Sequence, residues 1–240
     1  MSSNVIAIDG PCYVGKSTIA LALARLTGYT YINTGHMYRA VAREALQQRI
    51  SLTNTEVIIS LAESISICFE QQDDSCRTIV NGEDLTDSLD SLQIASGAAQ
   101  IAPYTGLRRV LTDMQRFYAG GEPVIFEGRD IGSVVFVGAV WKFFITASVE
   151  VRAKRMKKIL MKTQNESLPD MTTLMATISE RDEMDQKREI APLKMASDAI
   201  LYDNSDSPSA GQDALILQYY MNHISEIVRN APFLKNKFEF

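Results

Sequence analysis

Short, nearly continuous apolar runs separated by longer stretches of mixed polarity set the rhythm of this chain. Val5 to Ile8, Pro123 to Phe126 and Trp141 to Thr146 have the composition of strands buried on both faces of a parallel sheet. Tyr29 to Asn33 and Asp198 to Asp203 read as two more. Between them, Ser17 to Leu26 carries Ile19, Leu21, Ala22, Leu23 and Leu26 and predicts a helix stopping at Gly28, and Gly35 to Gln48 predicts a second. Strands alternating with helices imply an α/β domain with right-handed crossovers.

The stretch from Ser64 to Thr86 departs from that rhythm: apolar and polar residues alternate on either side of the polar cluster Gln71 to Ser75, which predicts an antiparallel insertion. Arg152 to Lys162 is the one concentrated basic run, and the polar stretch Thr163 to Asp170 after it is expected to be mobile. Asp213 to Val228 reads as an amphipathic helix packed on the sheet. Trp141 is expected in the core, and the isolated His36 and His223, which share no metal-ligand spacing, are expected to be structural or exposed.

With 240 residues, 46% of them hydrophobic, the chain can bury a sizeable core, so disorder is not the default. A net charge of -5 gives no electrostatic footprint for a nucleic-acid polymer or a membrane surface. Any basic residues that bind phosphate must therefore be gathered locally. Three cysteines without CxxC spacing, one of them inside a glycine-rich loop, suit a reducing compartment. No basic, apolar leader opens the sequence, and no run approaches the roughly 18 apolar residues of a membrane span. A soluble, cytoplasmic, monomeric protein is expected.

Gly10 to Thr18, GPCYVGKST, meets the pattern G-x-x-x-x-G-K-[ST] between an expected strand and an expected helix. Backbone N–H groups from Gly10, Pro11, Cys12, Tyr13, Val14 and Gly15 onward, proline excepted, would face a polyphosphate together with the helix dipole. Lys16 adds a point charge, Ser17 can coordinate Mg2+, and Thr18 belongs to the same expected ATP-binding stretch. The loop predicts nucleoside triphosphate binding without naming a reaction, because switches, ATPases and small-molecule kinases share it.

Arginines recur in patterned surroundings at Arg39, Arg108-Arg109, Arg129, Arg152 and Arg155, and Arg181 to Arg188. Thr34 to Arg39 and Glu127 to Asp130 each follow a predicted strand, hence lie at the carboxyl edge of the sheet, where open α/β proteins bind ligands. Guanidinium forks converging there could capture phosphate oxygens, although solvated arginines at helix starts would look the same. Arg181, Asp185 and Arg188 share one face if the segment is helical, a pattern equally met by an exposed, salt-bridged helix.

Taken together, IAIDGP…GKST at Ile6 to Thr18, NTGHMYR at Asn33 to Arg39, GRDIGSVVF at Gly128 to Phe136 and ERD…D…R…APL…ASDAILYDNS between Glu180 and Ser205 closely resemble the bacterial cytidylate kinases. The resemblance implies a three-layer P-loop NTPase fold in a single domain. Its core would comprise residues 1–60, 97–150 and 180–240, with an insert at 61–96 in the monophosphate-binding region and a helical lid at 152–170. It also implies transfer of the γ-phosphate of ATP, with Mg2+, to CMP or dCMP. Thr34, Tyr38, Arg39, Arg108, Arg129, Asp130, Arg181, Asp185 and Arg188 would form the CMP site, with Arg39 and Arg129 on the phosphate and Arg108 and Asp130 on cytosine. Lys16, Arg129, Arg152, Arg155 and Arg181 would stabilise the transferring group.

Against the family pattern, Cys12-Tyr13-Val14 is bulkier than usual, Asn33 replaces an Asp, Asp90 falls where an Arg is common, and Ala99 replaces a Ser that meets the cytosine amine. The resemblance therefore implies that base selection rests more on Asp130 and Arg108, with weaker discrimination against UMP expected. No N-K-x-D guanine-reading segment of a GTPase switch is present.

Overall fold

The computed structural model describes residues 4–72, 75–139, 141–163 and 168–206, so the expected helix at 213–228 and His223 lie outside the described residues. In chain order the elements are β1 (Val5–Asp9), α1 (Lys16–Thr27), β2 (Thr30–Asn33), α2 (Thr34–Gln47), α3 (Thr55–Ser64), β3 (Ile67–Gln71), β4 (Cys76–Val80) and β5 (Glu83–Asp84). A 3-10 turn at Ser88–Asp90, α4 (Leu92–Ile101), α5 (Thr105–Tyr118), β6 (Val124–Gly128) and a π-helical turn at Ile131–Val135 follow. Last come β7 (Trp141–Thr146), α6 (Val149–Thr163), α7 (Met171–Lys187) and β8 (Ile200–Asp203).

Five strands lie parallel in the order β2-β6-β1-β7-β8, with Ile8 of β1 opposite Glu127 of β6 and Phe143 of β7. Because strand side chains alternate between faces, the apolar run of β1 serves two cores. Ile6 and Ile8 pack with Ile19 and Leu23 of α1, while Val5 and Ala7 pack with Ile131, Val135 and Phe136. All five β1 residues are buried, which is why the run is continuous rather than alternating. Burying a side chain such as Ile8 or Phe126 contributes about 1.5–3 kcal/mol relative to leaving it exposed. The covered sheet is the three-layer P-loop NTPase arrangement. Trp141 is only half-buried, its ring lying nearly parallel to that of Phe143 at 6.4 Å.

The insertion is antiparallel, as its alternation predicts: β3, β4 and β5 form a separate sheet with Phe69 opposite Thr78. Its inner side joins α2, α3, α4 and α5 in a third apolar core that runs from Met37 to Leu111. A fourth cluster, Ala153, Met156 and Leu160 of α6 with Leu174 and Ile178 of α7, makes these helices a packed pair. The expected helical face through Arg188 needs correction. Arg188 has left the helix, with φ −60 and ψ 138, because its Nε donates to the Ala191 carbonyl at 2.6 Å and the Leu193 N–H returns to the Asp185 carbonyl at 2.7 Å. Among the described residues no helix is long and apolar enough to cross a membrane.

Candidate active site

The phosphate loop joins β1 to α1 at the carboxyl edge of the sheet, and two of its glycines are required there. Gly10 has φ 149, and a Cβ would lie 2.1 Å from the Ile145 carbonyl oxygen. Gly15 caps α1 with φ 94, and its Cβ would meet Asn204 Nδ2 at 2.6 Å. Lys16 is buried and donates to the Pro11 carbonyl at 2.7 Å, so its ammonium closes over the loop. Burial and, behind it, the nearby Arg129 lower its pKa to about 7. Ser17 and Thr18 are exposed at the rim.

Residues distant in sequence hold this loop. Asn204, just past β8, donates from Nδ2 to the Val14 carbonyl at 2.7 Å, and Arg155 of α6 reaches the Asn204 and Tyr13 carbonyls at 2.6 and 3.3 Å. Glu127, at the end of β6, accepts from Ser17 Oγ at 3.1 Å and from the Tyr31 hydroxyl at 2.6 Å. Asp9, the last residue of β1, accepts from the Ile131 and Gly132 N–H groups at 2.8 and 2.7 Å, anchoring the loop that carries Arg129 and Asp130. Burial raises its carboxyl to about 6 despite those two donors. Glu127 lies in the segment expected at the ligand edge of the sheet, whereas sequence reasoning passed over Asp9 and Asn204, whose position at strand ends was the available signal.

Across the crevice the structure gathers most of the expected acceptor residues. The Thr34 hydroxyl donates to the Glu127 carbonyl at 2.7 Å, fixing the start of α2 against β6. Arg108 of α5 lies 5.6 Å above the Tyr38 ring, donates to the Ala102 carbonyl at 3.1 Å and is paired with Asp130. Asp185 of α7 accepts from Arg129 Nε at 3.0 Å and has Arg181 Nε at 3.5 Å and Arg188 Nη1 at 3.8 Å. Burial pushes the Asp185 carboxyl up, but these guanidiniums, Arg129 foremost, hold it below its ordinary value. Four guanidiniums, from Arg108, Arg129, Arg181 and Arg188, thus surround two carboxylates, Asp130 and Asp185. Arg188 Nη2 is buried without a hydrogen-bond partner, 3.9 Å from Asp130 Oδ1. An excess of positive charge and an unsatisfied buried donor suit a small dianion.

Arg39 stands apart from this cluster, at the rim, on Asp90. Arg152 is buried, with both terminal nitrogens on the Asp182 carboxylate. Cys12 and Tyr13 pack against the α6–α7 core, on the side of the segment expected as a lid, whereas Val14 is buried with Ile19 and Leu23 of α1. His36 is buried and structural, its Nδ1 2.8 Å from Thr78 Oγ1.

The cytidylate kinase family model matches residues 6–222. The cytidylate kinase of Geobacillus sp. (strain WCH70) is 38% identical over 229 residues, covering 95% of this chain and 98% of that protein. Cytidylate kinases of Pseudomonas paraeruginosa and Clostridium botulinum are 39% and 42% identical over 204 and 202 residues, each covering 84% of this chain and 88% and 90% of their own length. A phosphate loop, an arginine-rich pocket at the ends of β2 and β6, and end-to-end likeness agree: the chain belongs to the cytidylate kinase family.

Proposed function

We propose that this chain transfers the γ-phosphate of ATP to CMP or dCMP, giving ADP and CDP or dCDP. The observation that carries the reading is the cluster of four guanidiniums around Asp130 and Asp185, reached from the phosphate loop through Asp9. That cluster supplies charge for an acceptor phosphate and carboxylates for donor groups of its sugar and base. Cytosine's exocyclic amine donates where Asp130 can accept, whereas the corresponding uracil edge also accepts. Arg108 serves the ring acceptors, and Asp185 the ribose.

An oxygen of the acceptor phosphate attacks the γ-phosphorus in line, the bond to the β-phosphate oxygen breaks, and ADP leaves. That oxygen is already anionic at neutral pH, so no general base is needed. Arg39 and Arg129 hold the acceptor phosphate, while Lys16, Arg155 and Arg181 neutralise charge spread over the transferring group. Arg152 joins them by exchanging the Asp182 carboxylate for phosphate oxygens as the α6–α7 pair closes on nucleotide, excluding water. The Ser17 hydroxyl and Glu127 carboxylate, 3.1 Å apart, are hard oxygen donors that fit Mg2+. Mg2+ carried with ATP would supply neutralisation of the β- and γ-phosphates there.

The test is a coupled ADP-release assay on the full chain with ATP, Mg2+ and each nucleoside monophosphate in turn. Strong stimulation by CMP or dCMP is expected. Stimulation by another monophosphate alone reassigns the acceptor. Acceptor-independent turnover would instead indicate a nucleotide-dependent switch.

A further inference from the structure

The rim of the acceptor crevice holds an arginine already engaged by an anion of the protein itself. Arg39 of α2 donates from Nη1 to Oδ1 of Asp90, the last residue of the 3-10 turn, and to the Leu89 carbonyl at 3.3 Å. The same Asp90 oxygen lies 3.5 Å from Nε2 of His36, one turn earlier on α2, whose Nδ1 is fixed on Thr78 Oγ1 of β4 at 2.8 Å. Asp90 therefore sits between two partners, one anchored to the insert sheet and one facing the crevice.

Its setting differs from that of the other carboxylates. Asp130 and Asp185 are 10% and 5% exposed at the side chain, each within reach of more than one arginine, whereas Asp90 is 58% exposed and Arg39 28%. Water screens the Arg39–Asp90 pair, so either side chain can turn away at little cost. The surrounding chain partly desolvates the Asp90 carboxyl, which raises it, but His36 and Arg39 keep it below its ordinary value, so it is an anion at neutral pH. A phosphate arriving at Arg39 meets a like charge on the same guanidinium and gains the stronger, multidentate contact once that charge has left.

We infer that Asp90 is a built-in stand-in for the acceptor phosphate: it holds Arg39 until a nucleotide arrives, gives it up to the incoming phosphate and remains with His36. This rests on the reading that a nucleotide phosphate binds at Arg39. Asp90 is then a residue that sets acceptor affinity, lowering it and favouring product release, without touching the reacting atoms.

The test is calorimetric titration of CMP and of cytidine into the full chain and its Asp90→Asn, Arg39→Ala and doubly substituted variants, with Asp90→Ser as a repeat without the amide. Asp90→Asn and Asp90→Ser should tighten CMP about two- to fivefold, the range for losing a competitor of half-exposed ion-pair strength. Cytidine, which lacks the phosphate, should bind unchanged, and the gain should vanish in the Arg39→Ala background. Unchanged or weaker CMP binding in both Asp90 variants overturns the inference and makes Asp90 an orienting partner of Arg39. Equal tightening of cytidine, or tightening without Arg39, overturns it too. A wild-type chain that binds no CMP overturns the functional reading itself, a result distinct from all of these.

Discussion

Arg152 and Asp182 form a two-point ion pair, Nη1 to Oδ1 at 2.9 Å and Nη2 to Oδ2 at 2.6 Å, that ties α6 to α7 beside the phosphate loop. Both side chains are largely buried, at 5% and 16% exposure. Removing one partner strands a charge, so Asp182→Ala should lower unfolding free energy by about 3–5 kcal/mol. The combined Arg152→Met and Asp182→Leu exchange should restore much of it while abolishing phosphoryl transfer. Urea titration with parallel activity measurements checks both outcomes.

Lys16 should take up a proton when ATP binds. Its pKa is about 7 in the loop against an ordinary 10.5, and polyphosphate favours the charged form. The sign for stability is the opposite of an ordinary lysine pair: between about 7 and 10.5 the unfolded chain binds more protons, so without nucleotide this group makes the fold gain stability as pH rises through that window. Titrations at pH 8 in buffers of different ionisation enthalpy should show net uptake approaching one proton per ATP, lost in Lys16→Met. Zero uptake in the wild-type chain would contradict the assignment.

Asp9→Asn should loosen the acceptor loop. An amide offers one oxygen where the carboxylate accepts from both Ile131 and Gly132, leaving a buried N–H unpaired at a cost of about 1–3 kcal/mol. With its carboxyl raised from 3.8 to about 6, the folded chain binds more protons than the unfolded chain between those values. Asp9 therefore makes stability fall as pH rises through that window. Melting temperatures from pH 4 to 6 should show a smaller downward slope in Asp9→Asn, together with a raised KM for CMP.

Asp130→Asn should erode base selection. The amide can turn its donor toward uracil, so the ratio of kcat/KM for CMP over UMP should drop by about tenfold or more, the scale expected when a buried polar match is lost. Similar wild-type turnover of CMP and UMP would remove Asp130 from base reading.

The contiguous features were legible in the chain: the glycines and Lys16 of the phosphate loop, and the apolar runs of β1 and β6, whose two buried faces leave no alternation; β7 has the same composition, yet Trp141, Phe144 and Thr146 are only half-buried. Contacts between remote segments were not legible, because neither periodicity nor spacing encodes them. Asn204 on Val14, Asp9 on Ile131 and Glu127 on Ser17 each join a strand end to a loop, turn or helix start far off in sequence. Helices α3, α4 and α5 leave no signal in the apolar runs, although Asn54 and Ser91 cap the first two by accepting from the Val57 and Ile94 N–H groups. Spacing puts Arg188 on the helical face of Arg181 and Asp185, but it cannot reveal the contacts with Ala191 and Leu193 that draw the chain out of the helix there.

Because all five core strands run the same way, the molecule has a working rim and an idle one. The turn leading into β6 lies on the idle side, where Gly120, Gly121 and Glu122 are exposed and a Cβ at Gly121 would meet nothing within 4 Å. A cysteine-linked dye, a surface tether or a fused partner attached there would stand a full strand length from both nucleotides. The parallel sheet thus leaves an address at which the enzyme can be watched or immobilised while it turns over.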